Sequence, residues 1–257
     1  MNGEMYQICC ITAAAKKALK EKTAISYNLF KYENRIEFQF LPQNKLFVTK
    51  EYKAKNVSEW YDYCLKKGMY DLKLLAPVTV KDRSILGFSN TAQSSIVCFF
   101  EDGKVTYFFA KWEFDSYKKM WNILYTEKEL KDAPLEKPHF QNNSEKFKSV
   151  LLDIKELALK IDCNNFAWVF QKAFDILLGS SDYTDSAYNI PLPELPEENL
   201  HIFEAASTAD VFGAMGSWND SPPYMAHEKG MDKEYDSLSS ELLKQIRLAI
   251  LYAINEW

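Results

Sequence analysis

Residues 209–224, ADVFGAMGSWNDSPPY, bring together side chains that are able to do chemistry. Asp210 and Asp220 could act as a pair of carboxylates, and Trp218, Asp220 and His227 could line a pocket between helices. The known catalytic motifs do not fit. No lysine follows the glycines as in a phosphate loop, neither GSW nor GFSNT matches G-x-S-x-G, and AHEKG lacks the second histidine of H-E-x-x-H. An enzyme of unrecognised type, with a pocket near Trp218, Asp220 and His227, is therefore the alternative hypothesis.

The same segment is more typical of a structural turn. Gly213 follows an apolar, helix-like run, where a glycine can adopt the left-handed conformation that ends a helix. Gly216 permits a second tight bend, and Asn219 and Asp220 readily form hydrogen bonds with nearby backbone. Two prolines at 222–223 cannot continue a preceding helix. We therefore predict a structural turn at Gly213 and Gly216 that holds helices together.

Cysteines and histidines give no sign of a metal or disulfide framework. The chain has five cysteines, without a C-x-x-C pair, and only three histidines. An odd and scattered set of cysteines among apolar neighbours is typical of buried free thiols. We expect no metal and no cofactor. The cysteines are Cys9, Cys10, Cys64, Cys98 and Cys163.

Charge is distributed unevenly along the 257 residues. Residues 1–133 hold 21 Lys and Arg against 16 Asp and Glu, a net +5, whereas residues 134–257 hold 10 against 20, a net −10. The acidic half would repel phosphates but complement a basic protein. In the basic half the only arginines are Arg35 and Arg83, and acids interleave the lysines. These features favour a protein partner and argue against nucleic acid.

The apolar content of the chain indicates a folded core without a membrane span. Hydrophobic residues make up 47% of the sequence, enough to build a core. No apolar run approaches the roughly 20 residues that a spanning helix needs, and the first residues lack the pattern of a signal peptide. We expect a cytoplasmic protein that does not contact membranes.

The elements that position the segment 209–224 predict an α+β fold in two parts. A mixed α+β domain with a mainly antiparallel sheet is expected over 1–133, a linker over 134–146, and an all-helical bundle domain over 147–257. The apolar alternation in 34–41 indicates a strand. A hairpin is expected over 94–114 around Asp102-Gly103, since these residues tolerate a tight hairpin turn.

Shorter patterns complete this interpretation. The apolar run 6–12 is read as a short strand, and 115–133 as a helix. Steps of three and four between apolar residues predict helices over 144–161 and 164–179 and from near Asp232 onward. A further helix is expected from Pro196 to about Phe212, with glutamates in its first turn.

Three pieces of the second half carry a resemblance to known proteins. They are NNFAWVFQKAFDILL, ADVFGAMGSWND and the helix-like DKEYDSLSSELLKQIRLAILYAINE. With them, residues 147–256 resemble the C-terminal part of a group of uncharacterised bacterial proteins, and Ala214 stands where a second adjacent glycine is expected. These proteins are similar, in turn, to immunity-type partners in bacterial toxin systems. The resemblance implies no enzymatic activity.

Together these features predict a non-catalytic protein-binding protein. The most specific form of the hypothesis is a cytoplasmic immunity protein that neutralises a basic bacterial toxin. Tyrosine and tryptophan are frequent interface anchors, and several of them lie in expected loops. The candidate binding residues are Trp218, Asn219, Asp220, Tyr224, Tyr183 and Tyr188.

Overall fold

The computed structural model describes residues 1–45, 48–129, 137–180 and 191–257. Within these ranges the chain forms a six-stranded, mostly antiparallel sheet, a separate two-stranded ribbon and seven α-helices. This confirms the prediction of an α+β fold with a mainly antiparallel sheet.

The helices are α1 Gly3–Glu21, α2 Val57–Lys66, α3 Ser144–Lys160, α4 Asn164–Leu177, α5 Glu197–Ala209, α6 Pro222–Glu228 and α7 Asp232–Asn255. A 3₁₀ helix covers Arg83–Gly87. The strands are β1 Glu33–Gln39, β2 Gln43–Lys45, β3 Val48–Lys50, β4 Lys53–Ala54, β5 Met69–Leu75, β6 Ser95–Phe100, β7 Val105–Asp115 and β8 Met120–Lys128.

The strands of the main sheet lie in the order β4-β1-β8-β7-β6-β5, and β2 pairs with β3 in the ribbon. All neighbours in the main sheet are antiparallel except β1 and β8, which run parallel with Phe38 opposite Tyr125. The hairpin predicted around Asp102-Gly103 is confirmed as β6–β7, and Gly103 takes the positive φ of +81° that this turn requires.

Two local predictions are wrong. Residues 6–12 belong to α1 and not to a strand, because a short apolar run fits both periodicities and only its surroundings decide between them. Residues 120–128 form β8 and not a helix. This strand is central in the sheet, between β1 and β7, so its conformation depends on partners distant in sequence.

The core of buried side chains extends from the sheet into the helices. Helices α1 and α7 both contact β5, and α3, α4, α5 and α7 contact one another. The side chain of Asn255 at the end of α7 receives a hydrogen bond from the backbone N–H of Leu74 at 2.8 Å and donates to its carbonyl at 2.9 Å. The two halves of the sequence thus share one core, while the separate domains over 1–133 and 147–257 stay a prediction.

The five cysteines are free and buried, as predicted. Among the residues that the structure describes, no helix is both long and apolar enough to cross a bilayer.

Candidate functional site

Residues 210–221 form a closed turn between α5 and α6. The backbone N–H of Trp218 donates to the carbonyl of Val211 at 3.0 Å, which closes the base of the turn. Asp220 accepts a hydrogen bond from the N–H of Gly216 at 2.7 Å, and Gly216 has a φ of +78°. The Asp220 carboxylate therefore holds the bend that Gly216 makes possible.

The expected role of Gly213 as a helix-ending residue needs correction. Helix α5 ends at Ala209, earlier than the Phe212 predicted from the sequence, and Asp210 occupies the C-cap position. The φ of Gly213 lies outside the left-handed region. Its carbonyl instead accepts a hydrogen bond from the Ser217 hydroxyl at 2.9 Å, so Gly213 lies within the turn rather than at the helix end.

Trp218 is fully buried at the centre of the second half. Its ring stacks on Tyr235 at a centroid distance of 5.4 Å and meets Phe166 and Phe170 edge to face. Its Nε1 donates to the Ser239 hydroxyl at 2.7 Å, and its carbonyl accepts from the Tyr235 hydroxyl at 2.5 Å. Burial raises the pKa of Tyr235 to about 12, so that hydroxyl remains a donor. The Trp218 ring therefore fastens the turn to α4 and α7 and presents no surface to a partner.

The turn also contacts the first half of the chain through the 3₁₀ helix. A Cβ built on Gly87 would lie 2.4 Å from the backbone nitrogen of Ala214, so the two backbones meet at a distance that only glycine allows. The Asn219 side chain donates to the carbonyl of Arg83 at 2.9 Å. Arg83 in turn forms an ion pair with Asp236 of α7 at 3.0 Å. We refer to this arrangement as the Gly87–Ala214 contact.

The remaining candidate residues are not gathered around one centre. His227 forms a hydrogen bond with Asp232 at 2.9 Å on the exposed surface, and this bond lowers the pKa of the Asp232 carboxyl. Tyr224 is exposed on α6. Tyr183 and Tyr188 lie outside the described residues. In the described ranges, no group of three or more His, Cys, Asp or Glu side chains is placed to hold a metal ion.

Large apolar side chains lie exposed on both sides of the Gly87–Ala214 contact. Phe88 is 64% exposed and Met215 is 94% exposed, and each directly follows one of the two residues in contact. Across a neighbouring cavity lies Trp121, whose ring meets that of Phe114 at 5.1 Å, with Phe114 54% exposed. We call the exposed residues Phe88, Phe114 and Met215, together with the half-buried Trp121, the apolar surface.

The cavity within this surface has a volume of about 270 Å³. Four separate segments build it, namely the start of α1, the residue before β1, the end of the 3₁₀ helix with its following loop, and the facing parts of β7 and β8. Aromatic rings form much of the wall, and one carboxyl is present. The lining residues are Asn2, Gly3, Glu4, Tyr32, Leu86, Gly87, Phe88, Ser89, Trp112 and Trp121.

Some polar groups in the wall of the cavity have hydrogen-bond partners and others have none among the described residues. Glu4 accepts hydrogen bonds from the backbone N–H groups of Asn90, at 2.5 Å, and Ala92, while burial raises the pKa of its carboxyl. The Tyr32 hydroxyl and the Trp112 Nε1 are buried, and neither has a hydrogen-bond partner among the described residues. Buried polar atoms are normally paired, so these two donors are exceptions within the wall.

Comparisons with known proteins leave the geometry as the only guide to function. No family model, no curated protein and no solved structure matches this chain. The resemblance of residues 147–256 to immunity-type proteins therefore stays a prediction.

Sequence reasoning missed the cavity and the apolar surface almost entirely. Tyr32, Phe88, Trp112 and Trp121 are ordinary aromatic residues in the sequence, and Glu4 stands alone near the start. No motif links them, because they converge only when β7, β8 and α1 are in place. The one local signal was the GFSNT stretch, a glycine followed by a large apolar residue and small polar ones.

Proposed function

We propose that this chain is a non-catalytic protein-binding protein and, in the most specific form, a cytoplasmic immunity protein that neutralises a basic bacterial toxin. We also propose that residues 147–257 form a helical bundle domain. The observation that carries the proposal is the apolar surface around the Gly87–Ala214 contact. Phe88 lines the cavity with Trp121, whose ring meets the exposed Phe114, and apolar groups of this kind on a folded protein are typical of interaction sites.

The placement of this surface supports a role in binding. Phe88 and Met215 come from the two halves of the chain, and each directly follows a residue of the Gly87–Ala214 contact. Because the backbone contact already holds these two segments, they lose less conformational entropy when a complex forms. This favours affinity. Tyr224, exposed on α6, supplies a further candidate contact.

The charge of the second half, to which Met215 and Tyr224 belong, favours a basic partner. Residues 134–257 carry a net charge of −10, and an acidic surface speeds the encounter with a basic protein. The enzyme alternative receives less support, since Trp218, Asp220 and His227 have separate hydrogen-bond partners that each fix a local structure.

The test is a comparison of capture by matched surface variants in a bacterial lysate. The immobilised full chain is used as wild type, as Phe88→Glu, as Met215→Glu and as the control Leu178→Glu, in which an equally apolar exposed residue of the second half is changed. We expect a basic protein that wild type and the control retain and that both surface variants lose. The captured protein, expressed alone, should arrest bacterial growth, and co-expression of the wild-type chain should restore growth.

Two outcomes would contradict the proposal. Either no protein distinguishes wild type from the surface variants, or a purified captured protein binds all four forms equally. Circular dichroism melting of each variant separates loss of binding from loss of folding. If both surface variants lose the captured protein but that protein does not arrest growth, protein binding stands and the toxin assignment fails.

A further inference from the structure

We infer that the aromatic-walled cavity of about 270 Å³ receives a cationic side chain, lysine or arginine, of the protein partner. The inference rests on the proposed function and adds the chemistry of the residue that the partner inserts. It is drawn from the composition of the wall and the state of Glu4.

The wall of the cavity has the composition that attracts cations. Tyr32, Phe88, Trp112 and Trp121 all line it. The Trp112 ring lies 6.4 Å from Tyr32 and 5.8 Å from Trp121, centroid to centroid, so three rings lie close together in the wall of the cavity. The faces of aromatic rings carry negative electrostatic potential, and tryptophan binds cations best among them.

Glu4 supplies the only formal charge in this wall. Its carboxylate accepts two backbone hydrogen bonds, which hold it in place, but it has no ion pair in the described part of the chain. Lys128 lines a second cavity of about 390 Å³ on another side of Glu4, yet it forms no ion pair with that carboxylate. A partly buried carboxylate that lacks a cation is stabilised most by a positively charged partner that also displaces water.

The size of the cavity favours one side chain over a larger ligand. Sites for small molecules usually have about 300–1,000 Å³, and this cavity lies just below that range. A larger cavity of about 620 Å³ between α3 and α7 is lined by Lys146 and Lys244 together with Asp153 and Glu241. That mixed wall has no comparable bias towards a cation.

The inference is tested with single-residue probes on the full chain. N-acetyl-lysine amide and N-acetyl-arginine amide are titrated while the indole N–H resonances are followed by NMR, with N-acetyl-norleucine amide as the neutral probe of similar length. The Trp112 resonance is assigned with Trp112→Phe. We expect the two cationic probes to shift the Trp112 and Trp121 resonances and to bind at about 1 mM, with the norleucine probe about tenfold weaker.

Three variants show whether the probes bind in the cavity. Glu4→Gln keeps an acceptor for Asn90 and removes the charge, and it should weaken the cationic probes about tenfold. Glu113→Gln, a charge removal on exposed β7 outside the cavity, should leave their affinity unchanged. Gly3→Leu should block all probes, because a Cβ added at Gly3 lies 3.6 Å from the Tyr32 hydroxyl and further atoms would enter the cavity.

Equal binding of the norleucine and lysine probes, or an unchanged affinity in Glu4→Gln, would overturn the inference. So would cationic probes that leave the Trp112 resonance unmoved. If the probes fail in this way while Phe88→Glu and Met215→Glu still abolish capture of a partner, the cavity is rejected and the proposed function stands. If the probes bind as expected but neither surface variant affects capture, the proposed function fails, and the assignment of the occupant to the partner fails with it.

Discussion

Gly87 and Ala214 touch through their backbones, so closely that a Cβ built on Gly87 would lie 2.4 Å from the Ala214 nitrogen and 2.9 Å from its Cα. The first residue ends the 3₁₀ helix of the sheet half, and the second lies in the turn between α5 and α6. The contact joins the two halves at the position where Phe88 and Met215 emerge into solvent.

Substitution of Gly87 by alanine should destabilise the protein. The new methyl group would meet main-chain atoms that cannot rotate away, and overpacking of this kind costs about 1–3 kcal/mol. The free energy of unfolding in urea measures the effect. Gly213→Ala is the matched control, because its Cβ would lie 3.5 Å from the Ser217 Cβ, an ordinary contact. Equal losses of unfolding free energy in both variants would show that the backbone at Gly87 and Ala214 can move apart to admit a methyl group.

Removal of the Ser239 hydroxyl should leave the Trp218 Nε1 buried without an acceptor. An unsatisfied buried donor costs about 1–3 kcal/mol, so Ser239→Ala should lower the free energy of unfolding by that amount. Ser237→Ala, at an exposed position of the same helix, serves as control and should change stability by less than about 0.5 kcal/mol. A Ser239→Ala protein as stable as wild type would mean that the indole finds another partner.

Asp220 tests whether the turn is structural. Asp220→Ala removes the acceptor for the Gly216 N–H, and loss of such a hydrogen bond costs about 0.5–1.5 kcal/mol. Asp220→Asn retains a side-chain oxygen and should keep most of the stability. Thermal melting compares the two variants. The expected order is wild type, asparagine, then alanine; indistinguishable melting temperatures would argue for a role of Asp220 outside the turn.

Glu33 is a buried carboxyl, and its hydrogen-bond network within the described residues contains no lysine or arginine. It accepts hydrogen bonds from the Gln7 side chain at 2.5 Å and from the backbone N–H of Phe30 at 2.9 Å, and the Tyr125 hydroxyl donates to Gln7. Burial raises the pKa of Glu33 in the folded protein. Between the ordinary pKa of glutamate and the raised value, the folded state therefore holds the proton more tightly than the unfolded state.

The free energy of unfolding should consequently fall as the pH rises through this window. At higher pH the contribution of Glu33 should stay at the lower value. Glu33→Gln removes the titration, and the Gln7 amide can turn over to satisfy the new group, so this variant should lose less stability over the same window. Urea unfolding from pH 4 upward measures both proteins; about 1.4 kcal/mol is expected for each unit by which the pKa is raised. Glu228→Gln, exposed on α6, should behave as wild type. Parallel pH curves for wild type and Glu33→Gln would refute the assignment.

The sequence alone determined the features that depend on neighbouring residues. The Asp102-Gly103 turn, the apolar alternation of β1 and the helical spacing in α3, α4 and α7 were all readable, because turn conformation and side-chain periodicity are local properties. The burial of the free cysteines followed from their apolar surroundings. These signals sufficed for an α+β fold.

Tertiary structure decided everything that requires distant residues to meet. Residues 6–12 became helix and 120–128 became strand only through packing and pairing with remote elements. Trp218 looked like a surface anchor in a loop, yet the turn carries its ring into the core beside Tyr235. The cavity is assembled from four segments, and Gly87 fits Ala214 only after the sheet and helices have come together. Backbone conformation responds mainly to adjacent residues, whereas the position of a site depends on contacts between residues far apart in the chain, which one sequence does not record.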